Sequence, residues 1–251
     1  MHKILANTLF LGKDIIYLTE CHSTNDEAIR LFKLGQVIEG SIVYTEKQTK
    51  GKGQRGNRWY SEPGKNLTFS LVLTPLFLDA TEQFYLNMAI SVGVQEVLAA
   101  YVAGTLIKWP NDFVHISQGK LGGMLIENSV SGNGIEMSVV GLGLNINQVE
   151  FPFPTATSLA KIGGSAIYLE EFFRVLIASL EKYYLLLKQG KRQQIREAYL
   201  RHLYRLGQWA SYADKDPFTG KIIGVSPSGK LLIKKQNAET VGFSFKEVTF
   251  L

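Results

Sequence analysis

Between Ser41 and Leu73 the chain reads SIVYTEKQTKGKGQRGNRWYSEPGKNLTFSLVL. Its centre, Gly51–Gly56 (GKGQRG), matches the dinucleotide fingerprint G-x-G-x-x-G letter for letter. That fingerprint needs a strand before it and a helix opening at its last glycines, so that the helix N-terminus faces a pyrophosphate. The strand is present, because SIVYTEKQ is β-branched and alternating. The helix is not. NRWYSEPGKN follows, with a turn signal at Pro63 and Gly64, and LTFSLVL then alternates as a second strand. No Gly-Lys-Ser/Thr closes the stretch, which removes a Walker A phosphate loop as well. A long, basic connection between two strands remains, and it excludes the doubly wound dinucleotide fold.

Lys50, Lys52, Arg55 and Arg58 sit in or beside this connection, and no acidic residue occurs from Gln48 to Ser61. A loop of this composition either stays solvated or orders over an anionic ligand and excludes water. The glycines let its backbone approach a ligand, while Lys52 and Arg55 can neutralise phosphate or carboxylate charge.

Outward from the loop, IIYLTE reads as a strand and STNDEAIRLFKLG as a helix, with Thr24 and Glu27 spaced as a capping box and Gly35 as its stop. Thr81 to Tyr101 has helical spacing. TLIKWP, FVHI, KLGGMLIE and IEMSVVGLGLNIN read as strands, and two helices follow near Leu169–Lys188 and Arg192–Tyr204. From about residue 206 the character changes to short, evenly spaced strands: QWASY, GKIIGVSP, GKLLIKK, ETVGFSF and KEVTFL. That spacing predicts a small all-β barrel or sandwich. The fold class is α+β, a mixed sheet flanked by helices over 1–205 with a small β module over 206–251.

Composition sets wide limits. The 251 residues are 45% hydrophobic and 20% charged, enough for a full core. A net charge of +5 suits anionic small molecules, acidic proteins or nucleic acid equally. The single cysteine, Cys21, excludes an internal disulfide framework and fits a reducing, cytoplasmic setting. The apolar start ILANTLFLG is too short to span a bilayer and is followed by Lys13 and Asp14, so neither membrane insertion nor a signal peptide is expected.

Four further clusters carry chemistry. Ser23, Thr24 and Asn25 stand at a strand-to-helix junction, where an N-cap is the ordinary role. KWPND, Lys108–Asp112, ends one strand and turns into the next, and its plain reading is a turn with a buried tryptophan. KLGGMLIE begins with Lys120 and has Gly122 and Gly123, and GLGLNIN has Gly141, Gly143, Asn145 and Asn147. Glycines inside strands mark a bulge or a closely approaching ligand.

In this order, with Q-x-x-G-K-G-Q-R-G-x-x-W-x-S-x-x-G-x-N-L-x-x-S between the first two clusters, the motifs resemble the biotin–protein ligase family from about Ser23 to Asn147. The tail looks like that family's SH3-like C-terminal domain. The resemblance implies that biotin and MgATP form biotinyl-5′-adenylate, and that the biotinyl group then passes to a lysine of a biotin carboxyl carrier protein or domain. It implies a catalytic set of Lys120, Lys52, Arg55 and Asp112. The implied biotin contacts are Ser23, Thr24, Asn25, Gln48, Lys52, Gly53, Gln54, Lys120 and Gly123. Arg55, Trp59, Asn111 and Asn145 would meet ATP, with Trp59 packed on adenine and Asn145 reading its edge. Asp112 would contact metal or help deprotonate the carrier lysine; the metal ligands stay undefined, and a homodimer stays open. The family more often has arginine at the positions of Lys52, Gln54 and Asn57, so this loop is less cationic. About twenty residues precede Ser23, too few for the helix-turn-helix domain of the bifunctional members, and DNA binding is not expected. Two rivals compete: a lipoate ligase, which would want a long apolar tunnel, and a nucleic-acid binder, which would need exposed aromatics where Phe243 and Phe245 alternate as core residues.

Overall fold

The computed structural model describes residues 7–132 and 134–251. Chain order runs β1 (Ile15–Cys21), α1 (Thr24–Lys33), β2 (Ile42–Gln48), β3 (Leu67–Leu73), α2 (Phe84–Tyr101), β4 (Thr105–Lys108), β5 (Asp112–His115), β6 (Gly119–Ser131) and β7 (Gly134–Leu144). Then come α3 (Leu159–Gly163), α4 (Leu169–Lys188), α5 (Arg192–Arg201), β8 (Trp209–Ala213), β9 (Pro217–Val225), β10 (Leu231–Lys235), β11 (Thr240–Phe243) and β12 (Thr249–Phe250). The first seven strands form one sheet in the order β1-β2-β3-β7-β6-β5-β4, and only β1 and β2 pair in parallel. As the sequence predicts, no Rossmann helix follows Gly56; a single 3-10 turn, Gln54–Gly56, is all the helical structure between β2 and β3.

Both faces of this sheet are covered, so every residue of LTFSLVL is buried and its alternation divides two cores. Tyr44 and Phe69 point one way and meet Phe173 of α4, with ring centroids 5.7 and 4.9 Å apart. Val43, Val72 and Val139 belong to the opposite face and pack with Ala28 and Leu31 of α1. The amphipathic sequence of α1 produces that contact.

The start of α1 differs from the expected capping box. Ser23 takes the N-cap position without a side-chain cap bond. Thr24 turns inward to Gln48 and Ser70, and Glu27 pairs with Arg30 at 2.6 Å. A buried polar network outweighs the local cap here, because unpaired polar groups in the interior cost more than exposed helix-end amides.

The last five strands form an antiparallel sheet in the order β11-β10-β9-β8-β12. Among the described residues nothing pairs β11 with β12, so the expected barrel is an open five-stranded sheet. Phe243 is buried in it as predicted, but Phe245 leaves the row and packs on Trp109 at 5.3 Å. Trp109 is itself buried, and its Nε1 donates to the Gly229 carbonyl at 2.9 Å. Gly229 has φ +87, and a Cβ there would stand 2.6 Å from Phe84 of α2. One tryptophan therefore ties the turn after β4 to the small sheet.

Trp109→Phe keeps one aromatic ring but removes the pyrrole portion of the indole and leaves the Gly229 carbonyl without its donor. A loss of about 1 kcal/mol is expected, which lowers the melting temperature by about 2–4 °C for a chain of this size. An unchanged thermal transition would remove Trp109 from this role.

Candidate active site

On the α1 side of the large sheet, Thr68, Gly143, Gly123 and Asp112 stand opposite one another on β3, β7, β6 and β5. Directly opposed residues in antiparallel pairs share a face, and the face repeats every second residue. Ser70, Gly141 and Leu125 therefore form the next row on that face. These rows floor a cavity of about 280 Å³. Ser23, Thr24, Asn25 and Gln48 close one end of it. Lys52, Gly53, Gln54 and Trp59 lie along the loop side, and Asn111, Asp112, Lys120 and Gly123 stand opposite.

The glycines on β7 are approached by the protein's own side chains, in regular register and without a bulge. A Cβ on Gly141 would lie 2.2 Å from Asn25 Oδ1, and one on Gly143 would lie 2.4 Å from Trp59 Cε2. The indole lies against bare backbone there, and its buried Nε1 has no hydrogen-bond partner among the described residues.

The loop is closed at its base like a small hairpin. Trp59 N donates to Gly51 O at 3.0 Å and Gly53 N to Asn57 O at 2.7 Å. Gly51 is needed because a Cβ would stand 2.5 Å from the Trp59 carbonyl and 2.9 Å from Gln48 Nε2. Gln48 Oε1 accepts from Thr24 N at 2.7 Å, which joins the loop's root to the start of α1. The Arg55 side chain lies outside what the structure describes.

Both candidate lysines have carboxylate partners. Lys120 Nζ is 2.6 Å from Asp112 Oδ1, directly over Gly123, and Lys52 Nζ is 2.5 Å from Asp26 Oδ1. The hydrogen bond to Asp26, with the Asp26 and Glu127 charges, holds the Lys52 ammonium above the usual lysine range despite some desolvation. Half-exposed pairs of this kind are worth about 0–1 kcal/mol, so an incoming phosphate or carboxylate can displace them. The main chain of Lys120 is fixed on both sides: its N–H donates to Thr155 O at 2.7 Å and its carbonyl accepts from Thr157 N at 2.9 Å. Asn111 Nδ2 donates to the Met124 carbonyl, which locks the turn after Pro110 onto β6.

Asn145 is the exception among the expected residues. It does not line the cavity; it is buried, with Nδ2 donating to the carbonyls of Thr157 at 3.0 Å and Lys120 at 3.4 Å. Its Oδ1 is buried without a partner among the described residues.

Sequence reading passed over several neighbours of the cavity. Thr68 and Ser70 had a usable signal, two hydroxyls on alternate positions of an otherwise apolar strand. Glu127 had one too, as the last residue of KLGGMLIE, while Asp26 had none beyond its charge. Phe245, Lys246, Val248 and Phe250 line the cavity from the small sheet, which only tertiary packing reveals. Among the described residues no three His, Cys, Asp or Glu side chains gather to hold a metal ion, and no helix is long and apolar enough to cross a membrane.

Comparison with known proteins follows the same residues. The profile of the Biotin/lipoate A/B protein ligase family matches residues 18–145. The chain is 31% identical to the bifunctional ligase/repressor BirA of Bacillus spizizenii over 248 residues, covering 91% of this chain and 72% of that protein. It is 30% identical to the biotin–[acetyl-CoA-carboxylase] ligase of Paracoccus denitrificans over 228 residues, covering 86% of this chain and 92% of that protein. The structure of biotin protein ligase from Aquifex aeolicus in complex with biotin and ATP superposes with a TM-score of 0.79 at 26% identity, covering 95% and 99% of the two chains.

Gly143→Ala should expel the Trp59 indole from β7, at an overpacking cost of about 1–3 kcal/mol. Iodide quenching of tryptophan emission should rise while the far-ultraviolet circular dichroism stays native. Unaltered quenching would contradict the contact.

Proposed function

The chain belongs to the Biotin/lipoate A/B protein ligase family, and on that premise we propose that it is a biotin–protein ligase. It activates biotin with MgATP to biotinyl-5′-adenylate and then transfers the biotinyl group to one lysine of a biotin carboxyl carrier protein or domain. The supporting observation is convergence. Five separated motif segments, at Ser23–Asn25, Gln48–Trp59, Asn111–Asp112, Lys120–Gly123 and Gly141–Gly143, border one cavity.

In the first step a biotin carboxylate oxygen attacks the α-phosphorus of ATP, and the bond to pyrophosphate breaks. Two anions must meet, so fixed cations are required where charge gathers. Lys120 sits at the meeting point, Lys52 approaches from the loop, and Arg55 is the loop's second candidate cation. Magnesium enters with ATP as part of the substrate and screens the phosphates. Gly53 and Gln54 bring loop backbone over the biotin. Trp59 gives adenine a flat partner and Asn111 borders the cavity beside it, while Asn145 acts from behind by holding the Lys120 carbonyl.

In the second step a neutral carrier amine attacks the acyl carbon and AMP departs. A free lysine titrates near pH 10.4, so a base must take its proton, and Asp112 is the nearest carboxylate once Lys120 turns to phosphate. Biotin sits at the Ser23–Asn25 and Gln48 end. A space of about 280 Å³ is at the low end for ligand pockets, which span roughly 300–1,000 Å³. The loop and the Asp26–Lys52 pair must therefore shift to admit the whole adenylate. We assign residues 206–251 to an SH3-like module with an unpaired seam and residues 1–205 to the catalytic domain. A cytoplasmic location suits the free Cys21.

Biotin-dependent pyrophosphate release tests the assignment. Lys120→Ala should lower that rate by about 100-fold or more with an unchanged thermal transition; a wild-type rate would remove Lys120 from the reaction. Protease cleavage between Lys50 and Arg58 should slow when biotin and MgATP are added together, and equal cleavage would rule out loop closure. Thermal stabilisation by lipoate and not by biotin would move the protein to the lipoate branch of the family.

A further inference from the structure

The basic loop leaves β2 and returns to β3 through two roots, and a glutamine side chain holds each. At the first, Gln48 Oε1 accepts from Thr24 N. At the second, Gln148 Oε1 accepts from Glu62 N at 3.0 Å. Gln148 follows the end of β7, is buried, and does not border the cavity. Asn66, also buried, completes this second root. Its Nδ2 donates to Gln148 Oε1 at 2.6 Å and to Ser61 Oγ at 3.1 Å, and its Oδ1 accepts from Ile146 N at 2.9 Å. Gln148 Nε2 donates to the Glu150 carbonyl at 2.7 Å.

Main-chain groups fix both amides the right way round. The N–H groups of Ile146 and Glu62 can only donate, so each must face an amide oxygen. The amide nitrogens then meet Gln148 Oε1, Ser61 Oγ and the Glu150 carbonyl, and every polar atom of both side chains has a partner. A buried polar network satisfied in this way is rigid. The turn it holds is tight as well: Lys65 N donates to Glu62 O at 3.3 Å, Gly64 has φ +71, and Asn147 N donates to Lys65 O at 2.9 Å. Trp59 stands just before this turn, with its indole on Gly143 of β7. The end of β7 thus holds the tryptophan twice, under the ring through Gly143 and behind the chain through Gln148.

We propose that Gln148 is a positioning residue for the nucleotide step: it fixes the far root of the loop, so that Trp59 keeps its place for adenine while Lys50–Arg58 move over the ligand. The proposal rests on the ligase reading above and adds to it a residue outside the cavity. Biotin, at the Ser23–Asn25 end, is served by the other root, so loss of Gln148 leaves its binding alone.

Pyrophosphate-release kinetics on the full-length protein, beside titration calorimetry with biotin alone, test this. Gln148→Leu nearly fills the same space and leaves Glu62 N–H and Asn66 Nδ2 without their acceptor. The KM for ATP should rise by roughly tenfold, the effect of losing about one buried hydrogen bond. The kcat at saturating ATP and the Kd for biotin should stay near wild type. Protease cleavage between Lys50 and Arg58 in the presence of biotin and MgATP should be faster in the variant. In a Trp59→Ala background the same substitution should leave the ATP KM where Trp59→Ala alone puts it, because the two residues act as one unit. Gln148→Met, more pliable in a tight space, carries the test where the leucine variant does not fold. An unchanged ATP KM, an equal loss of biotin affinity, or effects of Gln148→Leu and Trp59→Ala that simply add would overturn the proposal and leave the ligase reading intact. A wild-type protein that releases no pyrophosphate with biotin and MgATP would instead overturn the reading on which it rests.

Discussion

The indole of Trp59 lies against Gly143 and the amide of Asn25 against Gly141, two residues apart on one face of β7. A methyl group at either position would occupy the space those side chains fill. Because β7 carries no side chain at these two positions, the root of the basic loop and the first turn of α1 both come down onto the sheet. The register across β3, β7, β6 and β5 then brings Thr68, Gly123 and Asp112 into the same row. A strand normally presents side chains alternately to two faces, and here two successive positions of one face are left bare so that loop and helix form the walls. The opposite face carries Tyr44 and Phe69 into the helical core, and that core supplies the rigidity the bare face gives up.

Charge follows the same economy of placement. Lys120 and Lys52 are each held by one carboxylate at the edge of the cavity, in pairs exposed enough to exchange partners. Such pairs position a side chain without committing it. Glu127 lies further in and accepts from Asn25 Nδ2 at 2.7 Å. The two kinds of carboxylate therefore do different work: Asp112 and Asp26 restrain exposed ammonium groups, and Glu127 holds the Asn25 amide.

Much of this was legible in the residues. The absence of a helix after Gly56 and the succession of strands along the chain follow from period and turn chemistry, whereas the segments that border the cavity were marked by the motifs that resemble the biotin–protein ligase family. The Thr24–Glu27 capping box did not form, because Ser70 and Gln48, distant in sequence, offered Thr24 a better partner. Glycines inside strands were read as marks of a bulge or of an approaching ligand; on β7 the groups that approach are the protein's own Asn25 and Trp59. Asn145 was expected at the cavity surface; its amide is spent on the carbonyls of Lys120 and Thr157 because α3 and the segment before it close over that end of β7. The tail strands were found from spacing, whereas their open seam and the reach of Phe245 toward Trp109 depend on docking that no local pattern encodes.

The account stands or falls on whether one cavity holds an acyl-adenylate that is passed to a carrier amine. A single-turnover incubation with α-phosphate-labelled ATP, biotin and a biotin carboxyl carrier domain follows this directly. Label should first appear in protein-bound biotinyl-adenylate, and then as AMP at the rate at which one carrier lysine gains biotin. AMP formation that does not require biotin, or biotinylated carrier formed with no adenylate preceding it, would contradict the account.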